Sequence, residues 1–397
     1  MRIETQRYTE RFGIVRLNEV QKVLELDSGR AEEPGNNDVA VTKIDDEVLR
    51  EYEDKMVICI PIKDEKLKLF EGVISGVPHD SPIVVISNSQ RKRVDRFRME
   101  KDALAQYCHF TRRTAYIVHQ KDQMLGNALQ AADYTELLDD DGLLKSGKCE
   151  GMLAAILLAT VLKKEYIGFI DSDNFFPGSV TEYVKCYAAG FSMARSPLSM
   201  VRILWRYKPK VSAGMFFRKM GRVSEVTNKH LNSMISFHTD FETDIIRTGN
   251  AGEHAMSLRL AHLLTYASGY AVETRELLAI FENFGGVLPL SQPNVAKHGV
   301  EISQIESRNP HLHEEKGTKH LQAEMLLPSL SVIYYSQLCD GNTRENIVKE
   351  MVSLGILKNM KEEPPPPVIY RAPAEVDMAK FEAAISEHLP AYLATAE

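Results

Sequence analysis

Cysteine is scarce, with five residues at 59, 108, 149, 186 and 339 in a chain of 397. Their number is odd and no two stand as Cys-x-x-Cys. That speaks against a disulfide-stapled scaffold and a thiol zinc site, and suits a reducing compartment. Tryptophan occurs once. No apolar run reaches the roughly 18 residues that a bilayer-spanning helix needs, so no membrane partner is expected. The N-terminus, Met1-Arg2-Ile3-Glu4-Thr5-Gln6-Arg7, is charged without an apolar core and does not read as a secretory leader. An excess of positive charge is missing as well: 48 Lys and Arg stand against 55 Asp and Glu, a formal net charge of −7. A nucleic-acid binder would carry the opposite sign, so nucleic acid is not an expected partner. Internal repeats are absent. The remaining composition, 44% hydrophobic and 26% charged, is ordinary for a globular protein, and the expectation is a soluble, cytoplasmic α/β chain.

Short apolar runs at 56–62, 83–86, 115–118, 166–170 and 200–204 have the length of strands buried on both faces of a sheet. The charged segments between the first of them are long enough for crossover helices, the pattern of a parallel sheet with helices on its faces. Residues 150–162 are nearly all apolar and predict a helix buried against that sheet. After residue 250 the pattern turns helical, at 253–267, 275–283 and 319–339. Residues 30–38 read as a polar loop, and the four prolines 364–367 as an extended spacer. Residues 376–394 predict an amphipathic helix docked on the body or on a partner subunit.

The run Tyr166-Ile-Gly-Phe-Ile stops on Asp171-Ser172-Asp173-Asn174. Two carboxylates at the carboxyl end of a buried parallel strand project into the crevice where open α/β sheets bind ligands. Hard divalent cations take oxygen ligands and bridge one or two carboxylates to substrate phosphates, so a phosphorylated substrate held through a metal is the leading idea. Gly142-Leu-Leu-Lys-Ser-Gly-Lys-Cys149 matches the phosphate-loop pattern at every position but the last. A nucleotidase is therefore an alternative, opposed by a thiol where a hydroxyl should ligate Mg²⁺ and by the acidic residues 139–141. A weaker reading survives that objection: Ser146, Gly147 and Lys148 precede a helix, whose N-terminus favours an anion, which makes Lys148 a candidate diphosphate contact.

Other constellations lie near strand ends. Pro61-Ile62-Lys63-Asp64-Glu65 and Ser87-Asn88-Ser89 put polar groups on the rim that carries Asp173, and suit a nucleobase and ribose. Thr248-Gly249-Asn250-Ala251-Gly252-Glu253-His254 is a Gly-bracketed loop opening a helix, an anion or hydroxyl site. His311 and His313 point to one side of an extended segment, and either can complete a metal site begun by Asp173. Arg202, Arg206, Lys208, Lys210, Arg218 and Arg222 form a basic run that a small anionic acceptor would need.

On these residues the chain resembles the mannosyl-3-phosphoglycerate synthase family, retaining sugar-nucleotide transferases of the GT-A fold. The specific stretches are Lys145-Ser-Gly-Lys-x-Glu-Gly-Met152, Gly168-Phe-Ile-Asp-x-Asp-Asn174, Arg247-Thr-Gly-Asn-Ala-Gly-Glu-His-Ala-Met256 and Asn309-Pro-His-x-His-Glu-Glu-Lys-Gly317. The similarity runs from Glu10-Arg-Phe-Gly to the proline spacer. It implies a Rossmann-like, mostly parallel central sheet with a mainly helical C-terminal part. It implies transfer of mannose from GDP-mannose to the 2-hydroxyl of 3-phosphoglycerate, a divalent cation (Mg²⁺, Mn²⁺, Co²⁺ or Zn²⁺) and a homodimer. Transfer of glucose to the same acceptor is a close alternative, and a non-catalytic sensor of the same ligands a more distant one.

The expected assignment follows. Asp173 with His313 or His311 holds the metal, and Asp171, Asp173 and Lys148 carry catalysis. The nucleotide sugar meets Pro61, Ile62, Lys63, Asp64, Glu65, Asn88, Ser89, Gln120, Lys148 and Asp171. The acceptor meets Arg202, Arg218, Thr248, Gly249, Asn250, Ala251, Gly252 and Glu253. Residues 1–285 form the catalytic domain, and 286–397 complete the metal and acceptor side.

Overall fold

Alternation along the apolar runs decides which layer each side chain joins. In the computed structural model Val57 and Cys59 enter one buried cluster and Ile58, Ile60 and Ile62 the other, and Val84 and Ile86 oppose Ile83 and Val85 in the same way. A sheet apolar on both faces must be covered on both, which is why its strands read as continuous hydrophobic runs. The structure describes residues 1–26, 40–174, 176–205, 208–212, 214–218, 222–290, 295, 297–312 and 320–394.

The strands are β1 (Arg2–Glu4), β2 (Thr9–Phe12), β3 (Val15–Glu25), β4 (Val41–Lys43), β5 (Met56–Ile62), β6 (Ile83–Ser87), β7 (Ala115–His119), β8 (Tyr166–Phe169), β9 (Ser199–Trp205), β10 (Lys208–Ser212), β11 (Gly214–Arg218), β12 (His254–Ser257), β13 (Tyr266–Ala267), β14 (Val300–Ser307) and β15 (Ile369–Tyr370). An 11-stranded sheet runs β4-β1-β3-β14-β9-β12-β8-β5-β6-β7, with β2 beside β3. The block β8-β5-β6-β7 is parallel, as is β9-β14-β3, and β12 lies antiparallel between the two blocks. This is the expected α/β architecture, a mostly parallel central sheet with helices on its faces. Pro61 is tolerated in β5 because the pairing with β8 ends at Cys59, so its missing N–H breaks no ladder bond on that side.

Helices α1 (Asp46–Asp54), α2 (Leu67–Gly76), α3 (Arg96–Thr111), α4 (Gln123–Ala131), α5 (Lys148–Val161) and α6 (Pro177–Met193) cross over between strands of this half. The expected buried helix is α5, apolar almost all round. Further along come α7 (Arg222–Thr239), α8 (Leu258–Ala261) and α9 (Val272–Phe284). Beyond them, among the described residues, lie a π-helical turn His320–Leu326 and helices Leu327–Tyr334, Gly341–Ser353, Met378–Ser386 and Leu389–Tyr392. No helix among the described residues is long and apolar enough to cross a membrane.

Three expectations are corrected. Residues 253–267 are not one helix: His254–Ser257 fills the slot between β8 and β9 as β12, with Ala255 and Met256 facing opposite clusters, and only α8 follows. Sheet packing has overridden helical propensity there, so the 248–254 loop opens a strand. The 319–339 segment ends its helix at Tyr334, and Asp340 caps a separate helix, accepting from the N–H groups of Asn342 and Thr343 at 2.9 and 3.0 Å. Residues 376–394 form two short helices, the second starting beside Pro390, and they pack on the body, where the Tyr392 hydroxyl donates to Asp122 at 2.7 Å. β14, beyond the expected division at 285, runs in the middle of the same sheet.

Candidate active site

The carboxyl ends of β5, β6, β7 and β8 form one rim, and the chain spends backbone bonds to shape it. After β5, Asp64 adopts a left-handed φ of 55°, its N–H donates to Ser89 Oγ at 2.7 Å, and its carboxylate accepts from Gln90 N–H at 2.9 Å. Ser87 and Ser89 both donate to the buried Glu100 carboxylate of α3, at 2.7 and 2.5 Å. Burial pushes Glu100 above the ordinary carboxylate range, with the two serine hydroxyls opposing. Ser89 therefore shapes the rim, its hydroxyl committed to Glu100 and Asp64. Glu100 itself was invisible in the sequence, being one acid in a charged helix. Gln120, after β7, donates through Nε2 to the Gly147 carbonyl at 2.8 Å, and Ser146 Oγ reaches Asn88 Oδ1 at 3.3 Å. Asp64, Asn88, Ser89 and Gln120 are thus brought to one edge, with Asn88 and Gln120 tied to the start of α5, whereas the Ile62 side chain lies in the core.

Gly147 is the N-cap of α5, and an added Cβ would meet the Glu150 carboxylate, which would have to shift from its bonds to Ser268 and Tyr370. Cys149, one residue into the helix, lies in the core, where burial and then Glu150 drive its thiol well above the usual range. No strand precedes this loop: Thr135–Leu137 is a 3-10 turn, and Leu138 and Leu144 form an isolated bridge. Those facts remove the nucleotidase alternative, since position 149 faces away from any ligand.

Lys148 is the centre of the site. Its Nζ lies 2.7 Å from Asp171 Oδ1 and 2.7 Å from Glu273 Oε1, in the first turn of α9. Burial penalises the ammonium, yet the charges of Asp171 and Glu273 outweigh it and hold the amine well above its ordinary pKa. Glu273 was missed because 275–283 read only as an amphipathic helix. The 248–253 loop closes over this pair: a Cβ on Gly252 would stand 2.7 Å from Asp171 Oδ2 and 3.4 Å from Lys148 Nζ. Its other members are fixed from outside. Thr248 Oγ1 donates to Gln304 at 2.8 Å, Gly249 N–H to Asn228 at 2.7 Å, and Asn250 Oδ1 accepts from Thr274 and Ser329 at 3.1 and 2.8 Å. The Ala251 and Gly252 carbonyls face His254 Nδ1 at 3.0 and 3.2 Å.

Arg202 is not an acceptor ligand. It is fully buried; Nε donates to the Thr248 carbonyl at 3.0 Å, Nη2 to the Glu273 carbonyl at 2.9 Å, and Nη1 pairs with Glu276 at 3.4 Å. Burial pulls the guanidinium below its ordinary pKa, with Glu276 and Glu273 opposing. It braces the loop from beneath. The Arg218 side chain lies outside the described residues, though its backbone ends the β10–β11 hairpin.

Asp173 is nearly buried at the strand exit, and its neighbour Asn174 brings His311 to the same corner, Nδ2 to Nδ1 at 3.4 Å. The His311 ring stacks on Trp205 at 4.3 Å and lies 3.6 Å from Glu253, which is fully buried. Glu182 of α6 sets the segment: its carboxylate accepts from Arg308 N–H, Asn309 N–H and Asn309 Nδ2 at 2.6, 2.8 and 2.7 Å. His313 lies outside the described residues. Among the described residues no three His, Cys, Asp or Glu side chains form a cage for an ion. The Asp173 carboxylate suits a divalent cation that takes most of its ligands from phosphate and water, and an imidazole such as His311 at the same corner suits a softer ion than Mg²⁺.

The sequence itself matches a known family. The family model described as mannosyl-3-phosphoglycerate synthase matches residues 5–385. The chain belongs to that family. The mannosyl-3-phosphoglycerate synthase of Pyrococcus furiosus is 43% identical over 383 residues, 96% of each chain. That of Aeropyrum pernix is 38% identical over 385 residues, 96% of this chain and 97% of the relative. Among solved structures, glucosyl-3-phosphoglycerate synthase from Mycobacterium tuberculosis with phosphoglyceric acid aligns at a TM-score of 0.48 and 17% identity, over 73% of this chain and 84% of that one. Its complex with Mn²⁺, uridine-diphosphate and phosphoglyceric acid aligns at 0.48, over 82% and 94%. The protein is a glycosyltransferase that joins mannose to 3-phosphoglycerate.

Proposed function

We propose that the donor is GDP-mannose, that the 2-hydroxyl of 3-phosphoglycerate is the acceptor, and that the anomeric configuration is retained. The observation that carries this reading is Lys148, a buried ammonium at the head of α5, flanked by Asp171 and overlain by the Gly252 loop. Guanosine lies along Pro61–Glu65 and Asn88, the diphosphate reaches Lys148, and phosphoglycerate sits against 248–252. The C1–O bond to the diphosphate breaks, and the acceptor oxygen bonds to C1 on the same face. The acceptor's hydroxyl proton passes to the departing phosphate oxygen, so the step balances without an enzymic nucleophile. Lys148 stabilises the leaving charge, and holding both substrates on one face supplies the orientation.

A divalent cation, when bound, neutralises charge on the leaving diphosphate. Asp173 is its anchor, with His311 and His313 as the candidate imidazole ligands; which ion is preferred belongs to the same proposal. So do a homodimer and the cytoplasm, the latter supported by five free, buried cysteines.

The test is product analysis with GDP-mannose and 3-phosphoglycerate, with and without a chelator. GDP and a phosphorylated α-mannoside are expected, and their loss with the chelator. Trp205, the single tryptophan, reports on His311 directly, so Mn²⁺ should quench its fluorescence in the parent and not in His311→Ala. Product formed unchanged in chelator, or equal quenching in both, overturns the metal assignment. Equal turnover with UDP-glucose overturns the donor.

A further inference from the structure

One strongly basic segment has no part in the site described above. Residues 91–98, Arg-Lys-Arg-Val-Asp-Arg-Phe-Arg, set five cations against one acid in a chain of net charge −7. The acid is occupied: Asp95 caps α3, accepting from Arg98 N–H at 2.9 Å. Arg91, Lys92 and Arg93 are exposed, and among the described residues no carboxylate pairs with Lys92 or Arg93. Unpaired surface cations next to one another repel, so stability does not explain the cluster.

Its location is fixed. Gln90 N–H is bonded to the Asp64 carboxylate at 2.9 Å, Arg96 N–H returns to the Gln90 carbonyl at 3.0 Å, and Arg96 Nη1 reaches the Glu65 carbonyl at 3.3 Å. Arg91 stands 5.3 Å over the Phe97 ring, which packs edge-on against His119, and His119 bonds the Ser89 carbonyl at 2.8 Å. The loop is therefore stitched to both halves of the rim on which the nucleotide is placed.

We propose that the 91–93 loop is an electrostatic guide that captures the diphosphate of the incoming sugar nucleotide and raises its association rate. The inference rests on the nucleotide lying along this rim. A net acidic protein repels a dianionic substrate, and a local basic field at the mouth of the cleft reverses that repulsion within about 10 Å at 0.1 M salt. A field acts on arrival, so it leaves the bound complex and its chemistry unchanged.

The variant is Lys92→Glu/Arg93→Glu, which spares the Arg91–Phe97 contact. The probe is a fluorescent GDP followed by stopped flow, with turnover and inhibition by uncharged guanosine measured alongside. At about 20 mM salt the association rate should fall about fivefold or more, and at about 0.5 M salt it should match the parent. The dissociation rate, kcat and guanosine inhibition should not change. An unchanged association rate, a loss that persists at high salt, or an equal loss of guanosine affinity overturns the proposal, the last because it signals contact with the base. Lys148→Ala in the same assay separates the two readings: fluorescent GDP binding unaffected by that change overturns the nucleotide placement itself.

Discussion

Lys148→Ala separates the two roles that this side chain plays. In the folded protein its ammonium meets two carboxylates at 2.7 Å. Glu273 is 2% exposed, whereas Asp171 is 31% exposed and shares its charge with water. Removing one partner of a buried pair costs about 3–5 kcal/mol because the other charge is left stranded. Only Glu273 is stranded fully, so the low end, about 3 kcal/mol, is expected in urea unfolding. The functional loss is a separate quantity. A charge-assisted hydrogen bond to the diphosphate contributes about 1.5–3 kcal/mol, which is roughly 10- to 150-fold in kcat/KM. The double variant Lys148→Ala/Glu273→Gln tells the two apart. It removes the stranded charge and should regain most of the stability, while turnover stays at the level of the single variant. Turnover that returns with stability would refute the reasoning, since Lys148 would then be only a counter-ion for Glu273. A single variant as stable as the parent would refute the burial argument.

Two further outcomes are expected. Gly252→Ala puts a methyl 2.7 Å from Asp171 Oδ2, and should push this partly exposed carboxylate from Lys148 at a cost of about 1 kcal/mol; kcat should fall with thermal stability only slightly lowered, and parent-like kcat would show that the loop yields freely. Glu53, in the last turn of α1, has its carboxyl raised by burial from 4.5 to about 7. The folded state then binds this proton more tightly than the unfolded chain, so the stabilisation is complete below 4.5 and lost as pH rises through 7. Glu53→Gln should therefore be more stable than the parent at alkaline pH, by up to about 3 kcal/mol, and match it in acid; parallel stability curves across that range would contradict it.

What could be read from the sequence was whatever a single strand and its exit encode. The apolar runs at 56–62, 83–86, 115–118 and 200–204 are strands because their burial on two faces leaves a one-dimensional mark. Asp171, Asp173 and Lys148 were legible because strand ends and helix starts are local features. The strand His254–Ser257 was not, since its conformation is imposed by β8 and β9, elements about 90 and 55 residues earlier. The N-terminal strands β1 to β4 and the central β14 escaped for the same reason. Glu100, Glu182 and Glu273 were hidden more deeply. Each is an acid on a helix with no pattern around it, and its role exists only through a partner distant in sequence: Ser89, Asn309 or Lys148.

Arg202 shows why charge type is a poor guide to contact with a charged ligand. A basic residue in a strand near the site suggested a phosphate ligand, yet its guanidinium holds the Thr248 and Glu273 carbonyls and pairs with Glu276, which in turn faces His254 at 3.1 Å. An arginine that turned outward would leave Glu276 stranded in the core, at a cost of several kcal/mol, so phosphate binding by this side chain is energetically closed. What the arrangement supplies instead is order. One buried cation fixes the 248–253 loop and helix α9, whose Glu273 pairs with Lys148 of α5. The loop and the helix beside Lys148 are thereby anchored to the same planar group, whose fork geometry resists small displacements of either.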